Sequence, residues 1–250
     1  MKPVKLGKAI EAATNLMIGS RNGLVQKLNV QYRSVPPPGR SVLASKTGAV
    51  VDIEQVADVV RAVDYKTVYL AVSLRYLRNR DREIVRAFKK GNPFANQARL
   101  TQNILLHTDV YFTLAFSSLE IASWILHLVY GTKLRPRDVS FYNVATVLNK
   151  SHPTGTPFGQ FVNDYKTGWL LEFNRYRHFV THYGTLQTRG GFRWTQARGM
   201  KPKRLLIPDD PTVYPPEYTK QLELVDYCME SFKRLLAELA QVYDAALLLV

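Results

Sequence analysis

The hexapeptide Arg177-His178-Phe179-Val180-Thr181-His182 brings two imidazoles and a guanidinium together, and Arg175 stands just upstream. An imidazole exchanges protons near neutral pH, and a guanidinium offers a fixed charge in a fork that fits phosphate oxygens. Cleavage of a phosphodiester uses both. The surrounding segment lacks opposing charge. No Asp or Glu lies between Glu172 and Asp209, while that interval holds Arg175, Arg177, Arg189, Arg193, Arg198, Lys201, Lys203 and Arg204.

Spacing restricts what these side chains do together. On a helix, His178 and His182 share a face at i, i+4, as do Arg175 and His182 at seven residues. Arg177 and His182 are five apart and point about 140° away from each other. They converge only if the helix end bends near Thr181. The histidine pair has the spacing of a zinc helix, but Phe179 stands where a zinc peptidase carries its general base, and spacing marks no third ligand. We therefore expect no metal and no other cofactor. The plain alternative is that both histidines satisfy surface or interhelical hydrogen bonds.

The elements that must hold this segment read as helices. Residues 1–30 suggest one or two short basic helices broken near Gly19 and Gly23, followed by a stiff turn at Val35-Pro36-Pro37-Pro38-Gly39. From Val51 to about Lys90, apolar residues recur at three- and four-residue steps. The valine-rich stretch 67–74 leaves a strand open. Its basic end, RYLRNRDREIVRAFKKG, stops at Gly91-Asn92-Pro93. A long helix follows from about Pro93 to Tyr130, closed by Gly131, and a short one is expected near 139–149. A third major helix runs from about Phe158 to Tyr183 and carries the hexapeptide. A last helix extends from about Pro216 to the C-terminus. The fold class is mostly α: an antiparallel four- to five-helix bundle over 51–250, with a basic N-terminal extension over 1–50 and a basic loop or small hairpin before the last helix.

Composition narrows the partners. The net charge of +14 and pI near 9.8 point to a polyanion, either nucleic acid or an anionic membrane surface. Residues 110–131 are long and apolar enough to span a bilayer, yet Glu120 sits in the middle, so a buried core helix and no membrane partner are expected. Asp109 and Glu120 lie on roughly one face of that helix and suggest a buried polar pair or a contact to Arg177. The first twenty residues do not read as a secretory signal, because Glu11 interrupts their apolar run. Cys228, the only cysteine, excludes an internal disulfide and reads as a small core residue; a reducing, cytoplasmic setting is expected.

The segment 188–204 interleaves cations with rings: Arg189, Phe192, Arg193, Trp194, Arg198, Lys201, Lys203 and Arg204. Such a pattern follows an RNA backbone with its cations and stacks unpaired bases on its rings. The competing reading is a hairpin packed on the bundle with solvated charges. Residues 208–216 read as a rigid, proline-rich connector.

The arrangement of helices and motif resembles the HEPN superfamily, helical-bundle domains of higher eukaryote and prokaryote nucleotide-binding proteins. Its members carry an R-x4-6-H motif, often with a polar residue directly after the Arg. Arg177, His178 and His182 match those positions, with His178 where Asn is commonest, and the resemblance covers roughly 93–250. It implies metal-independent RNA cleavage in a homodimer, of toxin or antiviral-defence type, with an antitoxin protein as a further partner. His182 would act as acid/base on the ribose 2′-hydroxyl, Arg177 would stabilise the scissile phosphate, and His178 would orient His182 or touch the phosphate. Arg175 would bind a neighbouring phosphate. Two alternatives stand beside it: a non-catalytic RNA-binding protein of ribonucleoprotein type, and a helical interaction protein whose charge is incidental.

Overall fold

The computed structural model describes residues 3–34, 42–45, 48, 50–89, 97–152, 156–182, 193–194 and 205–249. The chain is mostly helical, as its periodicity implies. Its elements are α1 (Pro3–Ser34), β1 (Val42–Ala44), β2 (Val50–Asp52), α2 (Ile53–Lys89), α3 (Gln97–Tyr130), a 3-10 turn at Pro136–Asp138, α4 (Phe141–Ser151), α5 (Phe158–Lys166), α6 (Trp169–His182), β3 (Arg193–Trp194), β4 (Leu205–Leu206) and α7 (Leu224–Leu247). Two compact units form. One comprises Met1–Thr67, Ser117–Leu170 and Phe232–Val250, and the other comprises Val68–Phe116 and Leu171–Ser231.

In the first unit, α1 runs unbroken through Gly19 and Gly23, which corrects the expected break. Glycine costs a helix interior about 1 kcal/mol relative to alanine. At Gly23 the reason is contact: a Cβ there would meet the Leu247 side chain at 3.3 Å. One turn on, the Lys27 ammonium donates to the Leu247 carbonyl at 3.2 Å, satisfying an acceptor at the end of α7. Met17, Leu24 and Leu28 are buried, and Arg21 pairs with Asp64 at 2.7 Å. Between α1 and α2, β1 and β2 form an antiparallel hairpin with Leu43 opposite Val51. Asp52 then starts α2 by accepting from the Gln55 amide at 3.1 Å.

Helix α2 buries Val56, Val60, Val63, Leu70, Leu74, Leu77 and Ile84 at three-, four- and seven-residue steps. Residues 67–74 are helical, and the Thr67 hydroxyl donates to the Val63 carbonyl. The strand alternative is thereby excluded. Gln102–Tyr130 within α3 is long and apolar enough to cross a membrane, and 56% of its most apolar window is buried. Glu120, the charge in its middle, accepts from the Phe141 amide at 3.1 Å. Together with Ser140, which accepts from the Asn143 amide, it satisfies donors at the start of α4. Gly131 ends α3 with φ of +61°, a left-handed conformation open to glycine at little cost.

The helix expected over 158–183 is two helices. The amides of Thr167 and Gly168 both donate to the Asn163 carbonyl, closing α5, and α6 restarts at Trp169. A Cβ on Gly168 would lie 2.6 Å from the Asp164 carboxylate and 2.7 Å from its Cα, so the turn admits only glycine.

Against this turn packs Glu238 of α7, which is 4% exposed. Its carboxyl accepts from the Trp169 indole N–H at 3.4 Å and hydrogen-bonds Asp164. Burial, reinforced by the neighbouring Asp164, pushes its pKa up to about 8 from an ordinary 4.5. A carboxyl whose folded pKa is raised stabilises the fold most below its unfolded pKa, and that contribution is lost as pH rises to the folded value. Over that window a single proton changes stability by about 1.4 kcal/mol per pH unit. From pH 5 to pH 8, urea midpoints of the wild type should therefore decline relative to those of Glu238→Gln. Equal slopes in the two proteins would show that Glu238 does not hold its proton.

Candidate functional site

The second unit holds the hexapeptide on α6. The buried side of that helix here is aromatic: Phe173, Tyr176 and Phe179 recur every three residues and are at most 2% exposed. Phe112 of α3 stacks on Tyr176 with ring centroids 5.1 Å apart, and lies 5.1 Å from Phe173 and 6.2 Å from Tyr227. The Tyr176 hydroxyl donates to the Pro208 carbonyl. Tyr111 donates to the Cys228 carbonyl at 2.6 Å. These contacts fix the rotation of α6, and with it the side chains that face water.

The exposed side presents Glu172, Arg175, His178 and His182, spaced three, three and four residues apart. Glu172 accepts from Lys220 at 2.8 Å, and Arg175 pairs with Asp210 at 2.6 Å. The His178 and His182 rings lie 4.5 Å apart, inclined at 49°. Arg177 is half-buried on another side of the helix, its guanidinium 4.9 Å from the centre of the Phe116 ring. The Thr181 hydroxyl donates back to the Arg177 carbonyl at 2.8 Å, and α6 stays helical through His182. The bend needed to join Arg177 to His182 is therefore absent. The structure brings together His178 with His182, and Arg177 with Phe116.

The segment 205–223 positions the charges opposite this face. It is a folded loop, where the sequence suggested a connector leading directly into the last helix. Asp209 is its tie: its carboxylate accepts from the Thr219 amide and hydroxyl and from the Lys220 amide, and its own amide donates to the Glu217 carbonyl. Asp210 accepts from the Thr212 amide and hydroxyl. Burial works to raise the Asp210 pKa, but these hydrogen bonds and the charges of Arg175 and Lys220 outweigh it and hold the carboxyl below its usual range. Lys220 is raised, chiefly by its hydrogen bond to Glu172. Helix α7 consequently begins at Leu224, several residues after the expected Pro216.

Of the basic, aromatic segment, Arg193 and Trp194 form β3, which pairs antiparallel with β4 in the register Arg193 to Leu206 and Trp194 to Leu205. Arg189, Phe192, Arg198, Lys201, Lys203 and Arg204 lie outside the described residues. Among the described residues no group of three or more His, Cys, Asp or Glu is placed to hold a metal ion. Cys228 is fully buried and its thiol pKa is pushed up by burial, as its reading as a core residue implies.

One constellation was not anticipated. His107 of α3 stacks on Tyr76 of α2 at 3.8 Å, and the Arg80 guanidinium lies 4.8 Å from the centre of the same Tyr76 ring. Burial and then the Arg80 charge lower the His107 pKa, favouring a neutral imidazole. Tyr76 and Arg80 stand at i, i+4, which the sequence does show; the partner on α3 it does not. Comparison of the chain with family models, curated proteins and solved structures finds no match.

Proposed function

We propose that this protein is a metal-independent RNA endonuclease whose reacting groups are His178 and His182. The observation that carries the reading is the pair of imidazoles 4.5 Å apart on the exposed side of α6, one turn beyond Arg175, in a chain of net charge +14. One neutral imidazole takes the proton of the ribose 2′-hydroxyl as that oxygen attacks phosphorus. The other, protonated, gives its proton to the departing 5′-oxygen as the P–O5′ bond breaks. The products are a 2′,3′-cyclic phosphate and a 5′-hydroxyl. Two acid/base groups on one face suit this exchange better than a histidine and an arginine on different sides of the helix.

Charge on the phosphate falls to Arg175, which is about half exposed and shares its charge with Asp210. A phosphate oxygen at this site competes with the Asp210 carboxylate. Arg177, matched by motif to the phosphate-binding position, acts here through packing on Phe116. A second copy of the chain, as the resemblance implies, would bring further cations to the site.

The test is cleavage of a fluorescent RNA oligomer in excess EDTA, beside the same oligomer with one 2′-deoxynucleotide at the cut position. The reading requires a cyclic-phosphate product from the first and no cut at that position in the second. Cleavage at the deoxy position, or loss of all activity in EDTA, would sink it. The separation of Arg177 from His182 favours one other reading, RNA binding without turnover, for which binding with no product from either oligomer is the expected result.

A further inference from the structure

We infer that the C-terminal half of α2 is an RNA-backbone contact, made by Arg75, Arg78, Arg82 and Arg86; this rests on the RNA reading above and adds a site remote in sequence from the histidines. The four are three, four and four residues apart. They fall within an arc of about 80° of the helix and are separated by about 4.5, 6 and 6 Å along its axis. Arg75, Arg82 and Arg86 are exposed and Arg78 is partly so.

The carboxylates of this stretch do not neutralise the row. Glu83 binds Arg80 at 2.5 Å, and Arg80 turns its guanidinium toward Tyr76. Asp81, three residues beyond Arg78, has an interaction of its own. None of the ion pairs among the described residues uses Arg75, Arg78, Arg82 or Arg86. Four like charges at this spacing repel one another, and a polyanion with a regular charge repeat relieves that repulsion. The steps suit successive phosphates of one extended strand. A membrane-bound amphipathic helix inserts its apolar side. Along the stretch of α2 that carries the arginines, Leu74, Leu77 and Ile84 are buried in the protein, whereas Tyr65, Val68, Tyr69 and Val72 just upstream are exposed, so vesicle binding is the competing outcome that the experiment separates.

The experiment measures binding of a 2′-O-methyl uridine 20-mer, which cannot be cleaved, across a range of NaCl concentrations. It compares the wild-type chain with the variant Arg75→Gln/Arg78→Gln/Arg82→Gln/Arg86→Gln. Loss of four phosphate contacts should make the log–log salt dependence shallower by about 2–3 and weaken binding at low salt. The double variant Arg82→Gln/Arg86→Gln should show about half the change in slope, and serves if the quadruple variant does not fold. An unchanged slope and affinity in either folded variant overturns the inference. So does a variant that loses binding only to anionic phosphatidylglycerol vesicles. Cleavage of unmodified RNA with an unchanged slope removes this site and spares the nuclease reading. Arginine-dependent binding without cleavage does the reverse.

Discussion

Alanine at His178 or at His182 should each lower the rate of RNA cleavage by roughly 10²–10⁴-fold, the range associated with loss of one positioned acid or base. Both residues are exposed on α6, and their ring centroids lie 4.5 Å apart. Truncation therefore leaves the Phe173, Tyr176 and Phe179 packing in place, and thermal unfolding should barely change. The double variant should be little worse than either single, because two groups serving one proton exchange fail together. Arg177→Ala separates this arrangement from the one its motif suggested. Removing a guanidinium from the Phe116 ring costs on the order of 0.5–1 kcal/mol of stability, and most activity should remain. If Arg177→Ala is inactive while His178→Ala is not, the arginine–histidine pair is the machinery and the two-imidazole exchange is wrong.

Phe112→Ala should destabilise the protein by about 3–5 kcal/mol, enough to consume much of the stability of an ordinary domain. Phe112 is fully buried, and its ring meets Phe173, Tyr176, Tyr111 and Tyr227. Removing it leaves a cavity bounded by flat rings, which collapse into one another poorly. Urea unfolding followed by circular dichroism reads the loss as a lower midpoint. Phe112→Leu refills most of the space and should recover more than half of it. A Phe112→Ala midpoint within experimental error of the wild type would mean that α6 is not held by this cluster. The exposed histidines would then owe their placement to something else.

Much of the helical framework is written in local patterns. In α2, valines and leucines recur at helical steps that the sequence alone shows, whereas the cap at Asp52 emerges only from the structure; the expected stop at Gly91-Asn92-Pro93 lies outside the described residues. What escaped was set by partners distant in sequence. Gly23 reads as a breaker until Leu247 is found beside it. The joint at Thr167–Gly168 is hidden because aromatic and apolar residues continue on both sides of it, from Phe161 to Leu170 and Phe173. The histidine pair was legible, since i, i+4 neighbours on a helix meet without outside help. The pose of Arg177 was not, because Phe116 belongs to another helix. Asp210 lay in a stretch that composition alone marked as a connector and Lys220 in the expected first turns of the last helix, and only the ties made by Asp209 turn them into a wall for the α6 face.

The burial of Cys228 has an experimental consequence. The only thiol of the chain is sealed inside α7, and its pKa is raised by burial, so a thiol reagent cannot reach it while the surrounding helices stay closed. Modification then proceeds only through transient opening, and its rate counts those openings. The protein thus carries its own clock for breathing motions around Tyr111 and Ser231, requiring no engineered label.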